Sequence, residues 1–265
     1  MIKSAILGSP VSHSLSPALH MAAYKKLGID VEYTAIEIKE NELVSFIAGL
    51  DSSWTGFAVT MPLKEVVLEV ASSIDPIAAK ITSANTLIRR GKGWFATSTD
   101  RTGFRSILHS HKIFSAPKVL ILGAGGTARA ALSALDSEGR DITVLRRSPH
   151  RDSSLVRCLD VAQLKIEPWS AVNLSAFDLV INTVPGSAPA ELFSEITTAP
   201  VLIDVLYRPW PSPLAEKWLD VQPKVISGIE LLIWQGIDQI ELMSGASFNR
   251  EEMFDYLFHT LVKLR

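Results

Sequence analysis

A strand, a glycine turn and a helix follow one another without a gap in Lys118-Val-Leu-Ile-Leu122, Gly123-Ala-Gly-Gly-Thr-Ala128 and Arg129-Ala-Ala-Leu-Ser-Ala-Leu135. No other run limits the chain so strongly. The order places unpaired backbone N–H groups and the positive end of a helix dipole at one point, where a pyrophosphate can sit. Gly123, Ala124, Gly125, Gly126, Thr127 and Ala128 are therefore the candidate cofactor loop. The next expected strand, residues 141–145, ends in Arg146, Arg147 and Ser148. About twenty residues past its glycines, a unit that binds NAD carries Asp or Glu for the ribose 2′-hydroxyl. A carboxylate there would repel a 2′-phosphate, whereas two guanidinium forks and a hydroxyl would hold one. The expected cofactor is NADP.

Strand signals recur at 118–122, 141–145, 165–167, 179–182, 201–204 and 224–226, with helices between several of them. Alternation on this scale predicts an α/β fold with a mostly parallel sheet covered on both faces. The N-terminal hundred residues form a second α/β region. Strands are expected at 2–7, 31–38 and 55–60, and a hairpin at 84–88 and 94–97 with residues 89–93 as its turn. Ser16 is expected to cap a helix with Pro17 in its first position, and Gly28 to end it. Asn41 is expected to cap a second helix, and residues 63–70 to form a third. Helices are also expected at 100–110, bridging the two regions, and at 228–243 and 250–264. The predicted division is 1–100, completed by 236–265, and 101–235, with substrate between the two domains.

Composition removes several function classes. Of 265 residues 47% are hydrophobic and 20% charged, which suits a folded globular protein. A net charge of -2 offers no basic surplus for nucleic acid. No apolar run reaches membrane-spanning length, and the N-terminus reads as a strand and not a signal peptide. One cysteine, Cys158, excludes an internal disulfide and fits a reducing compartment, so the cytoplasm is expected. No metal-ligand spacing links His109, His111 and His150.

Four further stretches are polar where folding does not require it. Ser14 and Ser16 lie on a loop that runs into a helix start, where hydroxyls and the dipole can grip a carboxylate, although capping also explains them. Val59-Thr60-Met61-Pro62-Leu63-Lys64 carries a lysine near a helix start, where its charge does not suit the dipole. Asn85 heads an apolar strand, and Asp100 closes the polar cluster Thr97-Ser-Thr-Asp100.

In this order the stretches resemble the shikimate dehydrogenase family, and the likeness runs over nearly the whole chain. It is carried by Gly8-Ser-Pro-Val-Ser-His-Ser-Leu-Ser-Pro17, Val59–Lys64, Ser83-Ala-Asn-Thr-Leu87, Thr99-Asp100 with Gly103-Phe104, and the glycine loop. Arg147-Ser148, Asn182-Thr183, Asp204-Val-Leu-Tyr207-Arg-Pro209, Gly228-Ile-Glu-Leu-Leu232 and Gln235-Gly236 complete it. The resemblance implies an N-terminal α/β substrate domain and a Rossmann-type doubly wound NADP-binding domain, with C-terminal helices returning to the first. It implies reversible, NADP-dependent reduction of 3-dehydroshikimate to shikimate. Lys64 and Asp100 would be the catalytic pair. Ser14 and Ser16 would hold the substrate carboxylate, and Thr60, Asn85, Asp100 and Gln235 the ring hydroxyls, with Tyr207 at the carboxylate end. Thr183, Val205, Gly228 and Leu231 would join the glycine loop, Arg146, Arg147 and Ser148 around the cofactor. Ala58, Ser98, Leu231 and Met21 depart from the family pattern. A quinate/shikimate dehydrogenase using NAD is the nearest alternative, and a methylene-tetrahydrofolate dehydrogenase shares a similar plan. A non-catalytic binding protein would have no use for both Lys64 and Asp100. The expected partner is a small-molecule substrate, with no nucleic acid and no membrane, and the protein a monomer or homodimer.

Overall fold

The computed structural model describes residues 1–264 except Ser194, Thr198 and Pro223. Its contacts divide the chain into two units, Met1–Gly103 with Leu232–Leu264, and Phe104–Leu231.

The first unit contains β1 (Ile2–Gly8), α1 (Ser16–Leu27), β2 (Val31–Glu37), α2 (Leu43–Ala48), β3 (Trp54–Val59), β4 (Ser73–Ile74), α3 (Pro76–Lys80), β5 (Thr86–Arg90) and β6 (Gly93–Thr97). Its sheet runs β2-β1-β3-β5-β6-β4. β1 pairs in parallel with β2 and β3, whereas β5 is antiparallel to β3 and to β6. The hairpin closes on Gly91, whose φ of 59° lies in the left-handed region that glycine enters without penalty. One face is packed by Phe57, whose ring lies 5.0 Å from Trp54 and 5.3 Å from Trp94. Leu7, Leu43, Leu63, Val67 and Leu87 complete that core with no exposure.

Three local expectations change. The helix at 16–27 starts one residue early: Leu15 is its cap and Ser16 its first residue. The amide of Ser16 donates to Ser14 Oγ at 3.2 Å, so Ser14 supplies the acceptor that Ser16 was expected to supply. Asn41 caps nothing; a short 3-10 turn, Glu40–Glu42, leads into α2, and Glu42 Oε2 accepts from the Lys39 amide at 2.8 Å. Residues 63–70 are not α-helical but a turn followed by a 3-10 segment, Val66–Val70. The reason is a diverted carbonyl. Lys64 O accepts from the Ala84 amide at 2.8 Å, and the Leu68 amide turns to Glu65 O instead. One i to i−4 bond survives, Val67 N–H to Leu63 O at 2.9 Å, and burial of Leu63 and Val67, worth about 1.5–3 kcal/mol each, holds the rest of the segment.

The second unit carries β7 (Lys118–Leu122), α5 (Gly126–Leu135), β8 (Asp141–Arg146), α6 (Asp152–Val156), β9 (Gln163–Pro168), β10 (Leu179–Asn182), α7 (Ala188–Leu192), β11 (Val201–Asp204), α8 (Pro213–Leu219) and β12 (Val225–Ser227). Every pairing in its sheet is parallel, in the order β12-β11-β10-β7-β8-β9. Numbered within the unit this is 6-5-4-1-2-3, the order of the dinucleotide-binding fold. Ala128, Ala130, Ala131 and Ala134 are buried and keep α5 slim. Trp218 fills the other side, its indole donating to Pro200 O at 2.7 Å. The division falls inside α4 (Thr99–Ser110) and α9 (Gly228–Ser244); α10 (Arg250–Leu261) lies wholly in the first unit.

Candidate active site

Strand direction gathers the polar stretches of the first unit. The parallel strands β1 and β3 leave the sheet at one edge, where Leu7 pairs with Val59. Because β5 is antiparallel to β3, it enters at that same edge, and β6 returns to it, with Thr86 opposite Thr97. The loop with Ser14 and Ser16, the turn with Thr60 and Lys64, Asn85 and the start of α4 with Asp100 therefore share one edge. A close backbone approach joins two of these loops. Ser9 N–H donates to Met61 O at 3.1 Å, and a Cβ on Gly8 would overlap Thr60 Cγ2 and lie 2.9 Å from Met61 O. Only glycine fits there.

Lys64 Nζ donates to Asp100 Oδ2 at 2.6 Å, between side chains 18% and 9% exposed. Charges this far out of water need a partner and further hydrogen bonds. Asp100 has both: Asn85 Nδ2 donates to its other oxygen at 2.9 Å, and its place in the first turn of α4 suits a negative charge. Asn85 is held from several sides. Its Oδ1 accepts from the Thr99 amide at 2.7 Å, and its Nδ2 also reaches Thr99 Oγ1 at 2.9 Å and Gln235 Oε1 at 3.0 Å. Gln235 is oriented in turn by its Nε2, which donates to Leu232 O at 2.8 Å. An ammonium so held can give a hydrogen bond, then a proton, to an oxygen that gains negative charge.

Gln239 belongs to this cluster although the sequence reading missed it. Its Nε2 donates to Asn85 O at 3.1 Å and to Thr86 Oγ1 at 3.0 Å. The available signal was spacing: Gln239 stands four residues after Gln235, on the same face of an apolar helix.

The second unit collects the cofactor candidates at the carboxyl ends of its strands. Gly123 has a φ of 109°, and a Cβ there would overlap Thr183 Oγ1. That hydroxyl donates to Leu122 O at 2.7 Å and keeps Thr183 against the turn. Gly125 precedes α5, so no side chain at the cap competes for the first-turn amides. The turn therefore has the bare backbone that a pyrophosphate needs. Val205 and Gly228 touch, since a Cβ on Gly228 would overlap the Val205 carbonyl. Asp204 anchors the loop that follows β11, accepting from Asn182 Nδ2 at 3.0 Å, Leu206 N–H at 3.1 Å and Ser212 Oγ at 2.5 Å. Burial pushes its carboxyl above the usual range, against these three hydrogen bonds. Tyr207 lies on that loop, and Leu231 is buried in α9.

At the end of β8 the structure divides the arginines. Arg146 is committed to Asp152, Nε to Oδ1 at 2.8 Å and Nη2 to Oδ2 at 2.9 Å, and this pairing holds the Asp152 carboxyl below its ordinary range. Arg147 and Ser148 are exposed. A further arginine, missed in the sequence reading, stands beside the glycine turn: Arg151 Nη1 lies 3.7 Å from where a Gly125 Cβ would be. Periodicity gave no signal for it, since Arg147 lies in a bend and Arg151 in a 3-10 turn.

Residues 6–87 match the family model described as the shikimate dehydrogenase substrate binding domain. A relative from Thermosynechococcus vestitus, named shikimate dehydrogenase (NADP(+)), is 32% identical over 254 residues, which cover 91% of this chain and 89% of that one. The chain belongs to the shikimate dehydrogenase family. The shikimate dehydrogenase of Mycobacterium tuberculosis superposes with a TM-score of 0.87 at 34% identity, over 98% of this chain and 100% of that one. The Thermus thermophilus shikimate 5-dehydrogenase, solved with NADP(H) and shikimate, gives 0.83 at 29% identity over 98% and 100%. The fold is thus the family's mixed α/β plan, an N-terminal α/β domain and a Rossmann-type domain. The segment matched to the substrate-domain model holds Ser14, Ser16, Thr60, Lys64 and Asn85 but neither Asp100 nor Gln235. Those two reach Asn85 through α4 and α9. Among the described residues no helix is long and apolar enough to cross a membrane.

Proposed function

We propose that this shikimate dehydrogenase interconverts 3-dehydroshikimate and shikimate with NADP, a step toward chorismate and the aromatic amino acids. The observation that carries the proposal is the largely buried Lys64–Asp100 pair, 2.6 Å apart and braced by Asn85. Reducing a ketone builds negative charge on its oxygen, and a fixed ammonium meets that charge without the reorganisation water would need. We assign Lys64 Nζ as the donor that stabilises the oxygen and delivers its proton. In the oxidation direction the same nitrogen receives the proton. Asp100 keeps the ammonium aimed and, with Thr60, Asn85 and Gln235, binds ring hydroxyls. Ser14 and Ser16 take the carboxylate, with Tyr207 at that end.

NADPH, when bound, supplies the hydride. The residues suited to hold it are the bare turn from Gly123 to Ala128 for the pyrophosphate and Arg147, Ser148 and Arg151 for the 2′-phosphate, with Arg146 braced by Asp152. Thr183, Val205, Gly228 and Leu231 would line the remainder. We assign the substrate-binding role to the first unit and the cofactor-binding role to the second. We place the protein in the cytoplasm, as a monomer or homodimer; its one cysteine is buried and makes no demand for an oxidising compartment.

The test is NADPH formation from shikimate by purified protein, with quinate and NAD+ as parallel arms. Shikimate with NADP+ is expected to be the best pair by at least tenfold in kcat/KM. No turnover of that pair, or preference for quinate with NAD+, would overturn the proposal.

A further inference from the structure

Asn85 is held at two ends, and its role in binding needs only one. Its side chain faces Asp100, Thr99 and Gln235, while its backbone carbonyl accepts from Gln239. Gln239 spends its amide nitrogen on Asn85 O and Thr86 Oγ1, so its Oε1 can only accept. Facing that oxygen at 3.2 Å is Nε2 of His20, from a helix 219 positions earlier in the chain. The donor must therefore be the imidazole, and the tautomer is settled: the proton sits on Nε2. Burial agrees, for it draws the His20 pKa down to about 3 and keeps the ring neutral.

The opposite nitrogen, Nδ1, has no partner among the described residues, and neither have the hydroxyls of Tyr24, Tyr33 and Ser4. These groups are neighbours: Ser4 pairs in register with Tyr33, and the His20 ring stacks on Tyr33 at 4.1 Å and lies 5.9 Å from Tyr24. His20 and Gln239 are 0% and 1% exposed, so each costs free energy to bury, and two apolar side chains would fill the space without that cost. Their polar output goes to one place, the entry of β5 at Asn85 and Thr86.

We propose that His20 and Gln239 are positioning residues for the dehydrogenase reaction, fixing the entry of β5 so that Asn85 presents its amide to Asp100 and to substrate. The relay runs from His20 Nε2–H to Gln239, from Gln239 to Asn85 O and Thr86 Oγ1, and from Thr86 Oγ1 to Asn85 Oδ1 at 3.1 Å. It touches neither the cofactor loop nor the reacting ketone. The proposal rests on the functional reading above.

The experiment uses the full chain and four variants: Gln239→Met, Gln239→Glu, His20→Phe and His20→Gln. Shikimate affinity is read by calorimetry without turnover, then KM and kcat with NADP+, and NADP+ affinity separately. Gln239→Met and His20→Phe are expected to weaken shikimate binding and lower kcat/KM by about tenfold, the scale of one or two modest hydrogen bonds. Gln239→Glu, which loses the amide donors, should be as impaired. NADP+ affinity should stay within twofold throughout. His20→Gln carries an amide N–H that can stand in for Nε2–H, and should recover to within threefold of wild type where His20→Phe does not. Folding is checked by thermal unfolding, and the two His20 variants decide the matter if those at 239 fail to fold. A wild type that oxidises shikimate while His20→Phe matches it in affinity and kcat/KM overturns the relay alone. So does a His20→Gln variant as impaired as His20→Phe, which marks a packing role. A wild type without shikimate activity overturns the underlying reading and the relay with it.

Discussion

Replacing Lys64 by methionine keeps an unbranched apolar stem of similar reach and deletes the ammonium. Two effects follow, and their sizes separate them. In the ground state Asp100 loses a partner at 2.6 Å but keeps the Asn85 amide at 2.9 Å and its favourable helix position. Breaking a buried ion pair costs about 3–5 kcal/mol when the remaining charge is left uncompensated. Here a hydrogen bond and a dipole remain, so about 1–3 kcal/mol of stability should be lost. In the transition state the loss falls on the oxygen that gains charge. General acid catalysis is worth about 10²–10⁴ in rate, or roughly 3–5 kcal/mol of barrier. The kinetic penalty therefore exceeds the folding penalty, and below the unfolding temperature the variant should be folded and slow. Initial rates of NADPH formation, circular dichroism and NADP+ titration by fluorescence check the three parts. Lys64→Met is expected to lower kcat by at least 100-fold with NADP+ affinity within threefold of wild type. Turnover within tenfold of wild type in a folded variant would refute the role given to this amine.

Arg147→Ala should weaken NADPH binding by about 10–100-fold, the worth of a charge-assisted contact, and leave NADH nearly unchanged; equal losses for both cofactors would reject the 2′-phosphate reading. Gly228→Ala puts a methyl into the Val205 carbonyl, a backbone atom that cannot swing aside, so thermal unfolding should report a loss of about 1–3 kcal/mol together with weaker NADP+ binding. Unchanged unfolding would show that α9 yields there at no cost. His20 adds a pH dependence of known sign. Its ordinary value is 6.5 and its folded value about 3, so between these the unfolded chain binds a proton that the folded chain does not. Stability must then fall as pH drops from 6.5 toward 3, by up to about 1.4 kcal/mol per unit. Urea unfolding from pH 4 to 7 should show a flatter slope for His20→Phe than for wild type. The carboxylates titrate in both proteins, so equal slopes would count against a buried neutral imidazole.

Much of the plan was readable along the chain, because its signals are local. Alternating apolar runs, the glycines of the 123–126 turn and the Arg147-Ser148 strand end act through backbone preferences and periodicity within a few residues. The strands of the second unit accordingly lie within a residue or two of where periodicity put them. Lys64, Asn85 and Asp100 stood out for equally local reasons: a lysine near a helix start, an amide heading an apolar strand, and a carboxylate closing a polar cluster. What could not be read concerned partners. Asp152 and Arg151 stand within six residues of Arg146, yet only the path of the backbone after β8 decides that the carboxylate takes Arg146 and that Arg151 lies beside Gly125. The 3-10 segment after Lys64 exists because a carbonyl is claimed by Ala84, twenty positions on. Ser14, and not Ser16, accepts the first amide of α1. His20 and Gln239 meet only after the sheet and α9 have packed. Hydrogen-bond partners, near in the chain or far, are chosen by backbone direction, register and packing, which the pattern of residue types does not contain.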